Sequence, residues 1–315
     1  MKNNNPLNSI TIFYKKMSIF GKILFFLGII LILVIFFKSI KKPNQQITEG
    51  FIQNDNFLFK SGKDVYDDFY SEIYDFLVFN NVKDNYETGA IVNETKPSEH
   101  SRILDIGCGT GHHVAKLTSS DFNVLGLDIS PAMIKQAKTN YPKSNFEVGD
   151  AMNGSNFSPN AFTHIICMYF TIYYFKDKDR FFENCYNWLM PGGYVVVHVV
   201  DRDNFDPILP PGNPLLLVSP QKYAKKRITK TKVKFNNFDY NADFDLNKET
   251  DVAIFGEKFK FKDGKVRKQE HKLYMESESN IISRAENAGF IVHSKVDLMR
   301  CAYDNQYLYI FMKPE

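Results

Sequence analysis

Between Arg102 and Val200 the chain repeats one pattern: a short apolar run, a turn, a stretch with helical spacing, then another short apolar run. Arg102–Ile106, Asn123–Leu127, Phe146–Val148, His164–Met168 and Tyr194–Val200 read as strands, with His113–Ser119, Pro131–Asn140 and Asp179–Leu189 as helices among them. Such alternation predicts an α/β fold, a parallel sheet covered by helices on both faces. Upstream, tyrosines and apolar residues recur at helical spacing, so Asp64–Phe79 is predicted as a helix and residues 83–100 as a polar connection. From about residue 228 the pattern changes. Thr229–Phe235 alternates only loosely, whereas Lys258–Tyr274 holds Asp263-Gly264 between two alternating runs and predicts a hairpin. Ser277–Ala288 reads as a helix ended by Gly289, followed by two last strands at Phe290–Val296 and Gln306–Met312.

The N-terminal part is of another kind. Residues 1–18 form a tail, and Ile19–Phe37 reads IFGKILFFLGIILILVIFF, with Lys22 as its one charge near an end, where a long side chain can reach the interface. A helix needs about 17–25 apolar residues to cross a bilayer, so residues 19–40 are predicted as a transmembrane helix and the protein as single-pass. A cleaved signal peptide would want small residues after the apolar run, but Lys38, Ser39, Ile40, Lys41 and Lys42 stand there. Lys15, Lys16 and Lys22 on one side balance Lys38, Lys41 and Lys42 on the other, so the positive-inside comparison ties. A cytosolic side for the folded domain is expected from its unpaired cysteines. Residues 41–56 read as a linker and 57–315 as the folded domain.

Composition mainly excludes. A net charge of +3 over 315 residues is no polycation built to coat nucleic acid. The four cysteines form no CxxC pair and the histidines no HExxH, so no metal site is expected.

The segment that carries chemistry is Arg102–Leu117, RILDIGCGTGHHVAKL: a strand, a glycine turn and a helix. Gly107, Gly109 and Gly111 leave the backbone bare for a ligand, and the helix offers free N–H groups at its start. The spacing is GxGxG rather than the GxGxxG of dinucleotide folds. Asp105 beside the turn would repel a pyrophosphate and attract a cationic amino group. The loop thus suits a nucleoside with a positively charged tail and disfavours a dehydrogenase.

DIGCGTG resembles motif I of class I S-adenosylmethionine (SAM)-dependent methyltransferases, and the likeness extends over roughly residues 57–315. VLGLDIS (Val124–Ser130), FEVGDAM (Phe146–Met152), HIICMYFTIYYF (His164–Phe175) and LMPGGYVVVHVV (Leu189–Val200) resemble the family's later motifs in order. The resemblance implies a Rossmann-like, doubly wound seven-stranded sheet with an antiparallel last strand, and about residues 202–275 as a substrate-side insertion holding a β-hairpin. It implies SAM as cofactor, its methionine end held by Asp105 and Gly107, Gly109 and Gly111 lining it. Asp128 would accept the ribose hydroxyls, Ile129 pack on the adenine, and Asp150 with the backbone of Ala151 meet the adenine edge. Met168 would lie near the methionine portion, and the helix with Tyr66, Tyr70 and Tyr74 would lid the site. Alternatives stay open for single residues: Asp128 as a helix cap, Asp150 as a turn residue, and Met168 and Tyr66 as core packing. His164 departs from the family, which often has an acid there.

A methyl on a sulfonium is already activated, so alignment of the acceptor is the main requirement, and the lack of a triad is no obstacle. If the acceptor needs a base, His198 is the candidate, against a histidine satisfied inside the sheet. Cys167-Met168-Tyr169-Phe170 stands where nucleobase amine methyltransferases carry an Asn/Asp-Pro-Pro-aromatic motif, so nucleic acid is not the expected partner. The basic run KYAKKRITKTKVK (Lys222–Lys234) reads either as an edge strand guarded by lysines or as a contact for anionic headgroups, worth about 1 kcal/mol per basic residue. A small-molecule or lipid acceptor is therefore expected. A protein methyltransferase acting near the membrane and a non-catalytic SAM-binding scaffold are the alternatives.

Overall fold

The computed structural model describes residues 17–40, 55–209 and 220–315, with the side chains of 34–40 and of residue 220 undescribed. Residues 41–54, most of the predicted linker 41–56, and residues 210–219 lie outside the described residues. The chain separates into two units, residues 1–49 and 50–315.

In the first unit, Ile19–Ile40 (α1) is helical, as its uniformly apolar sequence predicts, with Ser18 Oγ accepting from Gly21 N–H at 3.1 Å. Among the described residues, however, no helix is long and apolar enough to cross a membrane. What the structure shows of the predicted transmembrane segment is an apolar helix.

In the second unit, the predicted α/β sheet is present. Strands β2 (Arg102–Ile106), β3 (Asn123–Asp128), β4 (Asn145–Val148), β5 (Phe162–Cys167), β6 (Leu189–Val200), β11 (Ile291–Asp297) and β12 (Gln306–Met312) form a seven-stranded sheet in the order β11-β12-β6-β5-β2-β3-β4. The strands β2 to β6 pair in parallel, and β12 is antiparallel to both of its neighbours, as expected. Helices on both faces leave the central strands no wet side, which is why Ile103–Ile106 and Ile165–Cys167 are buried without alternation. The chain runs outward from β2 to β4, then returns to β5 beside β2. That reversal opens a crevice past the carboxyl ends of β2 and β5, the place where open α/β sheets take ligands.

Two expectations are corrected. Residues 83–100, read as a connection, hold a helix at Asn81–Thr95 (α3), capped by Asn80, whose side chain accepts from Val82 and Lys83 N–H. Its buried face is Lys83, Asp84, Glu87, Thr88, Ile91 and Thr95, so the helical period is there but written mostly in polar residues. The expected hairpin insertion is instead part of a five-stranded sheet, β1-β10-β9-β8-β7, comprising Phe57–Ser61, Val266–Tyr274, Val252–Phe261, Phe238–Asn247 and Lys230–Lys234. The hairpin at Asp263-Gly264 is its β9–β10 turn. β1 enters from the start of the domain and pairs in parallel with β10.

The inner face of this second sheet packs on helix α2 (Asp68–Val78), where the Phe69 ring meets Phe238, Phe259 and Phe261 at centroid distances of 5.4–6.4 Å. Arg267, fully buried on that face, gives two hydrogen bonds to Asp67 at 2.8 and 3.0 Å and one to the Val65 carbonyl. Asp67 also caps α2 by accepting from Tyr70 N–H at 3.1 Å. Removing one partner of a buried pair strands the other charge, at a cost of about 3–5 kcal/mol. Asp67→Ala is therefore expected to lower unfolding stability by about that much, and Arg267→Met by less, as read from denaturant midpoints. Equal, small losses in both would contradict the buried-charge account.

Candidate active site

The loop after β2 is fixed by its neighbour: Gly107 and Cys108 N–H both donate to the Leu127 carbonyl, at 2.7 and 3.1 Å. All three loop glycines have positive φ, but for different reasons. A Cβ at Gly107 would lie 2.5 Å from the Thr171 side chain, and one at Gly111 2.7 Å from the Phe146 ring. Those two allow close packing. A Cβ at Gly109 would meet only Tyr74, at 3.8 Å, so Gly109 is the one that leaves backbone open to a ligand.

Asp105, the next-to-last residue of β2, is 1% exposed, and its Oδ2 has no hydrogen-bond partner among the described residues. Burial pushes its carboxyl up to about 7; nearby His113 pulls it down, while Asp128, Asp84 and Glu87 push it further up. An unsatisfied buried acceptor is costly, and a cationic ammonium is the group that would relieve this one. The arrangement therefore fits the amino-acid end of SAM.

Asp128 ends β3. Its Oδ2 accepts from Gly109 N–H at 3.0 Å and its Oδ1 from Ser130 N–H at 2.8 Å. Burial raises its carboxyl, and these two donors partly offset that. Capping of helix α5 (Pro131–Asn140) falls to Ser130, whose Oγ accepts from Met133 N–H at 3.1 Å. Asp128 is thus free of the cap role and keeps lone pairs for a diol. Ile129, 48% exposed, offers an apolar surface beside it. Asp150 lies past β4, exposed, with Oδ1 accepting from Met152 N–H at 2.9 Å. The carbonyl of buried Ala151 is taken by Asn184 at 2.9 Å, and Met168 is buried within the core.

Tyr66 stands above the loop just before α2. Its carbonyl accepts from Ser130 Oγ at 2.6 Å, and its hydroxyl donates to that of Tyr174 at 2.7 Å. Tyr70, Tyr74 and Tyr174 surround its ring at 5.6–6.3 Å between centroids. His198 is placed differently from the role considered for it. It is fully buried in β6, Nδ1 donates to the Tyr169 carbonyl, and Nε2 faces Gln306 Oε1 at 3.0 Å. Burial lowers its pKa to about 4, so the ring is neutral with its one N–H on Nδ1, and Nε2 is an acceptor that the Gln306 amide satisfies when its NH₂ is turned toward the ring. It holds Tyr169, whose φ of 53° is unusual for a side-chain-bearing residue, rather than facing an acceptor.

Several residues were beyond sequence reasoning. Glu87 on α3 meets Lys83 Nζ at 2.5 Å and His113 Nε2 at 3.3 Å. Burial opposes ionisation of Glu87, but these two cations hold its carboxyl down to about 2. His113 is raised: burial lowers it, and Glu87, Asp105 and Asp84 outweigh that. Lys116 pairs with Asp84. The signal was present only as charges at helical spacing. His271 and Glu257, on the inner face of the second sheet, were equally hidden.

The sign of the Asp105 shift can be tested. An unfolded Asp titrates near about 3.9, and the folded one near about 7. The native state therefore binds the extra proton in between, and stability contributed by neutral Asp105 is lost as pH rises through that window. Asp105→Asn is expected to match the parent near pH 4 and exceed it at pH 8 in thermal unfolding without ligand. A parent curve that is less stable at low pH relative to the variant would contradict the buried neutral acid.

Residues 103–193 match a methyltransferase domain family. Over 145 residues the chain is 30% identical to a dTDP-4-amino-2,3,4,6-tetradeoxy-D-glucose N,N-dimethyltransferase of Saccharopolyspora spinosa, covering 44% of this chain and 57% of that one. Over 101 residues it is 34% identical to phosphoethanolamine N-methyltransferase 1 of Triticum aestivum, covering 30% of this chain and 20% of that one. The chain thus spans little more than half of the first relative and a fifth of the second. A SAM-dependent methyltransferase from Clostridium acetobutylicum shares the fold, with a TM-score of 0.59 at 17% identity over 78% of this chain and 97% of that one. With the sheet order, the glycine loop and the acids at the ends of β2 and β3, these matches identify residues 103–193 as a methyltransferase domain, within a unit that has the fold of SAM-dependent methyltransferases.

Proposed function

We propose that the protein transfers a methyl group from SAM to an amino nitrogen of a small polar molecule. The observation that carries this reading is the buried Oδ2 of Asp105, without a partner among the described residues, in the strand that leads into the loop of the open Gly109. It is a cation-binding position in a cradle whose other end, Asp128, is already held in place by two backbone donors. Bound there, SAM supplies an activated methyl; the chain's own task is to hold the acceptor in line and keep water away. The relatives are named as N-methyltransferases of an amino sugar and of phosphoethanolamine, which favours a nitrogen acceptor over the lipid acceptor also considered.

The reading includes attachment to a membrane through Ile19–Ile40, with the catalytic unit on the cytosolic side. Its support is the sequence of that helix, with Lys22 as the one charge from Ile19 to Phe37, and the high exposure of Ile19, Phe20, Leu31 and Ile32.

The test supplies the full chain and labelled SAM with phosphoethanolamine, a dTDP-amino sugar, or vesicles containing phosphatidylethanolamine. Label is expected in a soluble amine, and Asp128→Ala is expected to weaken SAM use about 10–100-fold, the worth of one or two charge-assisted hydrogen bonds. Label found only in the lipid would move the acceptor to the membrane; label in protein bands alone, or no transfer, would overturn the small-molecule reading. Flotation of the full chain with vesicles, lost on deletion of residues 19–40, is the expected sign of attachment; flotation unchanged by the deletion would refute it.

A further inference from the structure

A chain of hydrogen bonds leads from the cofactor loop into the second sheet. Tyr66 Oη donates to Tyr174 Oη at 2.7 Å, Tyr174 Oη meets His271 Nδ1 at 2.8 Å, and His271 Nε2 meets Glu257 Oε2 at 2.7 Å. Glu257 also accepts from Tyr240 Oη at 2.5 Å and Gln269 Nε2 at 2.6 Å, and Arg267 Nε holds that glutamine through its Oε1 at 2.8 Å. His271 and Glu257 are 3% exposed, the same as any core residue of this sheet. Four polar side chains on the inner face of a sheet, each satisfied by the next, form a network that is costly to build and costly to break.

The proton positions follow from the partners. Burial opposes ionisation of Glu257, but His271, Tyr240 and Gln269 outweigh it, so the group is a carboxylate and can only accept. His271 Nε2 must then carry the hydrogen, and in that tautomer Nδ1 is an acceptor. Tyr174 therefore donates to Nδ1, and its oxygen is free to accept from Tyr66. Every donor in the chain points toward Glu257, so the half-buried Tyr66 Oη keeps its lone pairs to accept a hydrogen. The other titratable and aromatic groups around His271 are Tyr66, Tyr70 and Phe255, at ring distances of 5.6, 5.6 and 5.7 Å. Among the described residues, Glu257 is the one carboxylate bonded to it.

On this geometry, and resting on the methyl-transfer reading above, we infer that Tyr66, Tyr174, His271 and Glu257 form a proton relay that takes up the hydrogen lost by the methyl acceptor. As the acceptor's new N–C bond forms, the methyl–sulfur bond breaks with its electron pair left on sulfur. The acceptor's proton passes to Tyr66 Oη, the Tyr66 proton to Tyr174 Oη, and the Tyr174 proton to His271 Nδ1. The ring becomes an imidazolium beside the Glu257 carboxylate, the arrangement that stabilises a charged histidine in other buried dyads. Tyr66 is the group that meets the acceptor; His271 and Glu257 are positioning and proton-holding residues. The relay gives the second sheet a part in the reaction, and it supplies the base that His198, fully buried in β6 with Nδ1 donating to the Tyr169 carbonyl, does not.

Two measurements on the full chain test it. In the complex with S-adenosylhomocysteine, nitrogen-15 NMR of the histidine rings, with His271→Asn assigning the signal, is expected to show Nε2 protonated and Nδ1 unprotonated, with the Nδ1 resonance moving in Tyr174→Phe. A protonated Nδ1, or a signal indifferent to Tyr174→Phe, would overturn the relay whether or not an acceptor is in hand. With phosphoethanolamine or the dTDP-amino sugar as probe, His271→Asn is expected to lower kcat about 10²–10⁴-fold, the span of general-base catalysis, and to flatten the acid limb of the pH–rate profile. Its affinity for SAM by calorimetry is expected to stay within about threefold, a shift below 1 kcal/mol. Tyr66→Phe, which removes only a hydroxyl, should lower kcat in the same direction. A kcat and pH profile unchanged in both variants would assign the network to structure alone. Loss of SAM binding in the unmutated chain would instead defeat the methyltransferase reading itself, so the two failures are distinct.

Discussion

The hydrogen bond from Gly109 N–H to the carboxylate of Asp128 ties the loop after β2 to the end of β3, and the site is organised around that tie. It uses a backbone donor that only an open, positive-φ glycine presents in this direction, and an acid that its own strand brings to the crevice. With Gly107 and Cys108 N–H held by the Leu127 carbonyl, the loop is pinned at both ends to one neighbouring strand. Asp105 is then left with an oxygen that nothing among the described residues satisfies. Preorganisation of this kind costs folding stability and saves ordering on binding.

Around that cradle the second sheet acts as a wall. Its inner face packs phenylalanines on α2 at one end and presents His271 and Glu257 at the other. Helix α2 lies between, with Tyr70 against the sheet and Tyr74 over Gly109. The N-terminal strand β1, paired with β10, ties the start of the unit to the same sheet. A change in the sheet therefore reaches the loop through one helix, not through the long sheet beneath.

The main sheet was legible because its strands are apolar and its helices amphipathic. Arg102–Ile106 and Pro131–Asn140 agree with the structure to the residue, since a buried parallel strand and a Ser-Pro helix start leave little choice. The glycine loop and the acids after it were legible as a motif. Helix Asn81–Thr95 was not, because it buries Lys83, Asp84 and Glu87 where the period calls for apolar residues. Phe238–Asn247 was missed for a related reason: its inner residues alternate well, but its outer ones are Asp and Asn, which strands usually avoid. His198 looked like a base in the sequence, and only the partners of its two nitrogens place it in a structural role. In each case the missing information was the tertiary partner of a polar group.

The central claim is that the cradle is built for a nucleoside with a cationic amino-acid tail. Calorimetric titration of the full chain with SAM, S-adenosylhomocysteine and NAD tests it most directly, run in buffers of different ionisation enthalpy. The account predicts binding of the first two and not of NAD, with proton release near pH 6 as Asp105 ionises against the ammonium, and loss of binding in Asp128→Ala. Binding of NAD in preference, or no binding of any of the three by a folded sample, would contradict it.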